Sequence, residues 1–264
     1  MLQTMRLTFL GTGTSMGVPV IGCRCPICTS PNPHNKRLRT SALLEVAGLN
    51  LLFDAGPDLR QQALAAGLTR LDAVLLTHSH ADHVTGLDDL RPLNFAQRAA
   101  IPLYGTPPTL RFVRKHFDYA FAETSDGSTR PSLELVEIND SVAFQIGPVM
   151  IMPFDVQHGT WTITGFRIGA LGYVTDASAI PPPSLAHLHG LDLLVLNALR
   201  QKPHPTHFSL DQALEMIGEL RPRRALLVHM THDMEHDTIN ATLPEHVRLA
   251  YDGQIVEIAD ENYA

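Results

Sequence analysis

Between Thr77 and His83 the chain reads Thr-His-Ser-His-Ala-Asp-His, which places His78, His80, Asp82 and His83 within six residues. Imidazole and carboxylate are the usual ligands of zinc, manganese and iron. The motif follows Leu71-Asp-Ala-Val-Leu-Leu76, a short apolar run that reads as a buried strand. His78 and His80 are two apart, so at an extended strand end they point to one side. Asp82 and His83 then turn the other way as the chain leaves the strand. The array suits two adjacent divalent metals.

Four side chains cannot saturate two metals, so the remaining ligands must come from distant sequence, just past other strands. Three positions fit. His158 follows Val149-Met-Ile-Met-Pro-Phe154 and a short turn, Asp176 ends Gly172-Tyr-Val-Thr175, and His229 ends Ala225-Leu-Leu-Val228. Singly, each reads equally well as a polar residue at a strand end. All three cysteines fall in Cys23-Arg-Cys25-Pro-Ile-Cys28. An odd count and a reducing setting argue against disulfides. Three thiolates at this spacing hold one structural zinc if a fourth ligand arrives, and His232, three residues after His229, is the best candidate. The alternative is three free, buried cysteines.

These residues need a framework. Strand-like runs occur at Arg6–Leu10, Ala42–Val46, Leu49–Asp54, Ala73–Thr77, Leu133–Ile138, Val142–Ile146, Val149–Phe154, Thr162–Ile168, Gly172–Thr175, Leu193–Leu196, Ala225–Val228 and Gln254–Ile258. Helical patterns fit Asp58–Ala66, Thr106–Lys115 and Ser209–Leu220, and Ser209 with Gln212 makes a capping box for the last. Hairpin-like strand pairs mixed with helices imply an α/β protein with two sheets. No linker divides the chain, so one domain is expected over 1–264, with a small zinc-binding loop at about 22–29. Gly11-Thr-Gly-Thr-Ser-Met-Gly17 misses both the dinucleotide and the P-loop spacings and reads as a tight strand-exit loop.

The chain has 264 residues, 44% of them hydrophobic and 18% charged, which suits a globular enzyme with a sizeable core. No apolar stretch approaches membrane-spanning length, and the N-terminus reads as a first strand, not a signal peptide. A cytoplasmic protein is expected. A net charge of −7 argues against a nucleic-acid-gripping surface. The basic clusters at Lys36, Arg37 and Arg39 and at Arg221, Arg223 and Arg224 read as solvated patches. Small substrates are favoured.

H-x-H-x-D-H behind a hydrophobic strand resembles the signature of the metallo-β-lactamase superfamily, and His158, Asp176 and His229 match its later metal-binding positions in order. The resemblance implies a four-layer αββα sandwich. It assigns His78, His80 and His158 to one metal and Asp82, His83 and His229 to the other, with Asp176 and a shared hydroxide between them. The centre is then positive and favours an anionic substrate. Asp54, in Leu51-Leu-Phe-Asp-Ala-Gly56, matches an aspartate that orients a ligand histidine.

Cys-x-Cys-x2-Cys near the N-terminus with His229-x2-His232 is similar to the phosphoribosyl cyclic phosphodiesterases of phosphonate degradation. The likeness spans nearly the whole chain, including Tyr251-Asp-Gly253, and is weakest from about Arg111 to Ser132, which leaves the substrate contacts of that segment open. It implies a structural zinc on Cys23, Cys25, Cys28 and His232, two catalytic divalent ions (zinc or manganese), a small phosphodiester substrate and a homodimer. It also implies a general acid just before the helix at Ser209: His207, with His204 as rival. Catalysis then rests on His207 and Asp82. Three other readings remain open: a tRNA 3′-processing nuclease, an ester, lactone or thioester hydrolase, and a non-catalytic accessory protein of coenzyme biosynthesis.

Overall fold

The central strand sequences are apolar at successive positions, and the fold buries both faces of strands such as Leu49–Phe53, Ala73–Leu75, Leu171–Val174 and Leu193–Asn197. In the computed structural model, which describes residues 3–122, 128–139 and 141–260, Leu44, Leu51 and Leu75 face an inner core. Their neighbours Leu43, Leu52 and Val74 face a second, outer one. Register explains the sorting: Leu44 pairs Leu51 and Leu43 pairs Leu52, so each face is continuous across strands.

Among the described residues the strands are β1 (Gln3–Gly11), β2 (Ser41–Val46), β3 (Leu49–Phe53), β4 (Ala73–Leu75), β5 (Ile101–Gly105), β6 (Leu133–Glu137) and β7 (Phe144–Ile146). They continue with β8 (Val149–His158), β9 (Trp161–Ile168), β10 (Leu171–Val174), β11 (Leu193–Asn197), β12 (Arg224–Val228), β13 (Val247–Leu249) and β14 (Ile255–Asp260). They form two seven-stranded sheets, ordered β14-β1-β2-β3-β4-β5-β6 and β13-β12-β11-β10-β9-β8-β7. The inner core joins the sheets: Phe53 of β3 stacks on Tyr173 of β10 at 4.1 Å between centroids. Helices cover both outer faces, with Leu59, Leu110 and Val113 on the first sheet and Ala213, Ile217 and Leu220 on the second. The architecture is the expected αββα sandwich. Among the described residues no helix is long and apolar enough to cross a membrane.

Both sheets divide into an antiparallel half and a parallel half. The parallel runs are β3-β4-β5-β6 and β10-β11-β12-β13. Parallel strands point their carboxyl ends the same way, so the loops that leave them collect at one edge.

Several expectations change in detail. Strand β4 ends at Leu75, not Thr77, and the chain then crosses between sheets: the Thr77 carbonyl accepts from the Thr164 amide of β9 at 3.0 Å. No turn precedes His158; β8 runs unbroken to it. Strands β5 and β13 and the short helices Ala81–Val84, Arg91–Gln97, Asp118–Phe121, Pro182–Leu185 and His236–Asn240 carry no strong periodic signal, and sequence reasoning passes over them. Within the weakly matching segment, residues 123–127 lie outside the described residues, as do 1, 2, 140 and 261–264. The capping box is present, with the Ser209 amide donating to Gln212 Oε1 at 2.9 Å.

Near the loop after β1, Asp252 accepts from Thr12 Oγ1 at 2.8 Å and the Leu38 amide at 2.6 Å. Burial nevertheless raises its carboxyl from 3.8 to about 6. Between those values the folded chain holds a proton that the unfolded chain has released. The stability this group contributes is therefore complete below about pH 4 and is lost as the pH rises through about 6. Asp252→Asn removes that dependence. We expect the melting temperature of the variant minus that of the wild type to increase between pH 4 and 7, and a flat difference excludes the role.

Candidate metal centre

The parallel strands deliver the chemistry. Asp54 follows β3, the His78–His83 motif follows β4, Asp176 follows β10 and His229 follows β12. Asp54, Asp176 and His229 have φ of 58°, 58° and 57°. Non-glycine residues rarely occupy this left-handed region, and strain of this kind collects at functional sites. The loop after β3 also presses directly on the motif. A Cβ on Gly56 would lie 2.0 Å from the Asp82 carbonyl oxygen, so only glycine permits the approach.

All seven expected ligands come together. His78 Nε2 lies 3.0 Å from His80 Nδ1, and His158 approaches these rings at 5.5 and 5.1 Å between centroids. His83 Nε2 lies 3.2 Å from Asp82 Oδ2, and the His83 and His229 rings are nearly parallel at 5.8 Å. Asp176 sits between the groups, with Oδ2 3.3 Å from His83 Nε2 and Oδ1 3.1 Å from His229 Nε2. His83 Nε2 is buried and makes no hydrogen bond, although two carboxylate oxygens flank it. A buried ring nitrogen facing carboxylates without a bond is what a cation between them would satisfy. His, His, His and Asp, His, His are also donor sets that divalent metals accept, so these residues fit two such ions.

The charges agree. Burial opposes ionisation of Asp176, but His229, His83, His207 and His78 outweigh it and hold the carboxyl well below its usual range. Asp82 is lowered too: burial opposes the shift and His83 drives it. Burial pushes His78 and His80 down, and His229 to about 4. Ionised carboxylates with neutral imidazoles are the states that bind metal. His83 is the exception. Burial disfavours its charge, yet Asp176, Asp54 and Asp82 raise it well above the ordinary value, so the local field holds a positive charge there.

Neighbouring groups fix the rings. Asp54 Oδ2 lies 2.7 Å from His83 Nδ1, and Asp54 also accepts from the Thr77 amide and hydroxyl, both at 2.8 Å. The Thr206 carbonyl lies 2.8 Å from His158 Nδ1. Both partners accept, so each Nδ1 carries a proton, and in the neutral, metal-binding state each Nε2 is the nitrogen left with a lone pair. Thr14 of the glycine loop reaches His229 Nε2 at 3.2 Å. Asn197 clamps the turn after Asp176 through the Ala177 amide and carbonyl. Thr14, Asn197 and Thr206 escape sequence reasoning, because a lone threonine or asparagine carries no pattern; only adjacency to His207 hints at Thr206.

His207 and His204 part company. His207 Nε2 lies 3.1 Å from Asp176 Oδ1, at the cluster, while its Nδ1 is 2.8 Å from Thr206 Oγ1. His204 stands behind it, 3.3 Å from that same Nδ1. Elsewhere the three thiols converge, with Cys23, Cys25 and Cys28 Sγ at 3.4, 3.5 and 3.3 Å from His232 Nδ1. Sulfur and nitrogen ligands of a tetrahedral zinc stand about 3.5 Å apart, so this group fits one zinc ion. Away from both clusters, His34 stacks on Tyr251 and meets His236, and His116 stacks on Phe112. A cavity of about 820 Å³ lies between β1, the Arg37 segment and the helix Leu59–Ala65, and no histidine lines it. Donor chemistry, not volume, locates the site.

Comparison with known proteins agrees with this geometry. The family described as Beta-lactamase superfamily domain matches residues 49–230. A crystal structure of a new diphosphatase from the PhnP family is 40% identical, with a TM-score of 0.91 over 98% of this chain and 100% of that one. An octanoyltransferase of Porphyromonas gingivalis is 40% identical over 97% of this chain, which spans only 52% of that protein's length. A ribonuclease Z of Mycolicibacterium gilvum is 30% identical over 74% of this chain and 66% of its own length. The chain therefore belongs to the metallo-β-lactamase superfamily and, within it, to the PhnP family whose sequence and fold it shares along its length.

Proposed function

We propose that this protein is a metal-dependent phosphodiesterase acting on a small anionic phosphodiester, with a cyclic ribose phosphate as the leading candidate. His78, His80 and His158 would hold one divalent ion and Asp82, His83 and His229 the other, with Asp176 between them. When bound, zinc or manganese ions at such a pair polarise a phosphoryl oxygen and make water nucleophilic near neutral pH. Cys23, Cys25, Cys28 and His232 would hold a structural zinc. A reducing, cytoplasmic setting goes with this reading, since the three cysteines are free.

The observation that carries the proposal is His207 Nε2, 3.1 Å from Asp176 Oδ1. Hydrolysis breaks a P–O bond, and the departing alkoxide needs a proton. His207 holds one at Nε2, at the edge of the cluster, and Thr206 Oγ1 fixes the opposite nitrogen. Asp176 Oδ1 accepts from Nε2 and holds the ring in place until the proton moves, and water restores the proton afterwards. Cleavage of an ester or lactone gives His207 less to do. The PhnP-family diphosphatase supports phosphorus chemistry, and the net charge of −7 weighs against a polynucleotide substrate. The octanoyltransferase carries half its length outside the match, so its name does not bring acyl transfer to this chain.

Two outcomes test the reading. The metal-reconstituted protein should hydrolyse bis(p-nitrophenyl) phosphate and a ribose cyclic phosphate but not a lactone or a precursor tRNA, and His80→Ala should abolish the activity. His207→Ala should then slow the ribose diester, a poor leaving group, by about 10²–10⁴-fold and affect the nitrophenyl diester much less. Equal losses on both remove His207 from acid catalysis.

Asp54 gives an independent check on the metal. Asp54→Asn keeps the shape but loses the carboxylate that aligns His83. It should weaken metal binding by about 10–100-fold in a chelator competition. Unchanged affinity would mean that His83 needs no such partner.

A further inference from the structure

Apart from the dinuclear cluster and the thiols, two more imidazoles meet where distant parts of the chain are laced together. His34 lies in the short helical turn Pro33–Asn35, and His236 opens the helix His236–Asn240. Their rings stand 4.5 Å apart between centroids. Tyr251 braces both, stacked on His34 at 4.1 Å and edge-on to His236 at 5.9 Å. Two asparagines hold the segments in register. Asn35 Oδ1 accepts from the His236 amide at 2.9 Å, and Asn35 Nδ2 donates to Glu235 Oε1 at 2.6 Å. Asn32 Nδ2 donates to Asp237 Oδ2 at 2.9 Å, while Asn32 Oδ1 accepts from the His34 amide at 3.0 Å.

This lacing serves amides and carboxylates but leaves an imidazole without a bond. His236 is only 6% exposed, and its Nδ1 is buried with no hydrogen-bond partner. Burial, with His34 and Arg37 nearby, lowers the ring to about 4, against the pull of Asp237 and Glu235. It is therefore neutral near pH 7 and can donate a lone pair without first releasing a proton. A ring nitrogen of each histidine and a carboxylate oxygen of Asp237 lie within 4.8 Å of one another. Nitrogen and oxygen donors of a tetrahedral zinc stand about 3.4 Å apart, and a small movement of the exposed Asp237 side chain closes the set.

The donor types select the ion. Two imidazoles and one carboxylate suit zinc and its late first-row neighbours, whereas magnesium and calcium take oxygen alone. Three protein donors, one of them exposed, leave a coordination position to water. The thiol cluster offers four donors and no such opening. We propose that His34, His236 and Asp237 form a further, exchangeable site for a zinc-class divalent ion. An ion there staples the turn Pro33–Asn35 to the helix His236–Asn240, just past the thiol-cluster residue His232. The site takes no part in the hydrolysis proposed above and stands or falls independently of it.

The test counts zinc on the full chain after equilibrium dialysis against buffered free zinc. Wild type should hold one ion per chain more than His34→Phe, which keeps a ring on Tyr251. It should also hold one more than Asp237→Asn, which keeps the shape beside Asn32. Asp237 is exposed, so Asp237→Asn decides if His34→Phe fails to fold. Long-range proton–nitrogen spectra of the imidazoles locate the ion: as zinc is added, ring nitrogens of His34 and His236 should shift together. Equal zinc counts in wild type and variants, with both rings unmoved, would overturn the site and leave His34, His236 and Tyr251 as packed rings. An extra ion that survives in both variants lies elsewhere and overturns it equally.

Discussion

Charge is the constraint that organises this molecule. Asp54, Asp82 and Asp176 surround one buried imidazole, His83, and further histidines crowd the same space. Carboxylates cannot be taken out of water so close together without positive charge among them. The protein meets that demand by ending its parallel strands at one edge, by holding Asp54, Asp176 and His229 in left-handed backbone, and by letting Gly56 pass within touching distance of the Asp82 carbonyl. Local strain is accepted where the charges meet, and the apolar layers beneath supply the rigidity to hold it.

Much of this is legible in the sequence because it is periodic or locally dense. The motif at His78–His83 announces itself, and the apolar runs that become β1–β4 and β8–β12 locate the strands to within a few residues. His158, Asp176 and His229 are legible only jointly, as strand-end residues in a recurring order. What the sequence hides is built from single side chains whose meaning is three-dimensional. Thr206 matters because its carbonyl meets His158 and its hydroxyl meets His207. Asn197 matters because it grips both polar groups of Ala177. Strand β5, Ile-Pro-Leu-Tyr-Gly, is concealed by its proline and shortness, and β13 spans only Val247–Leu249.

The choice between His204 and His207 shows how geometry sharpens a motif. Both precede the capped helix, and spacing alone leaves them rivals. Once the loop after β11 folds, one imidazole reaches Asp176 and the other only touches the first ring from behind. The Thr206 backbone and side chain tie that loop to the β8–β9 hairpin, so His158 and His207 are registered against a single residue.

The division of these residues between the sheets has a further consequence. Asp54 and the His78–His83 motif belong to the first sheet, whereas His158, Asp176 and His229 belong to the second. The thiol cluster repeats the arrangement, with Cys23, Cys25 and Cys28 early in the chain and His232 late. Neither half holds the full set of donor side chains at either place. Cation affinity and the docking of the two halves are therefore one thermodynamic quantity seen from two sides: whatever loosens the seam releases ions, and whatever captures ions closes the seam. Metal retention in this protein is a gauge of whether its halves have joined.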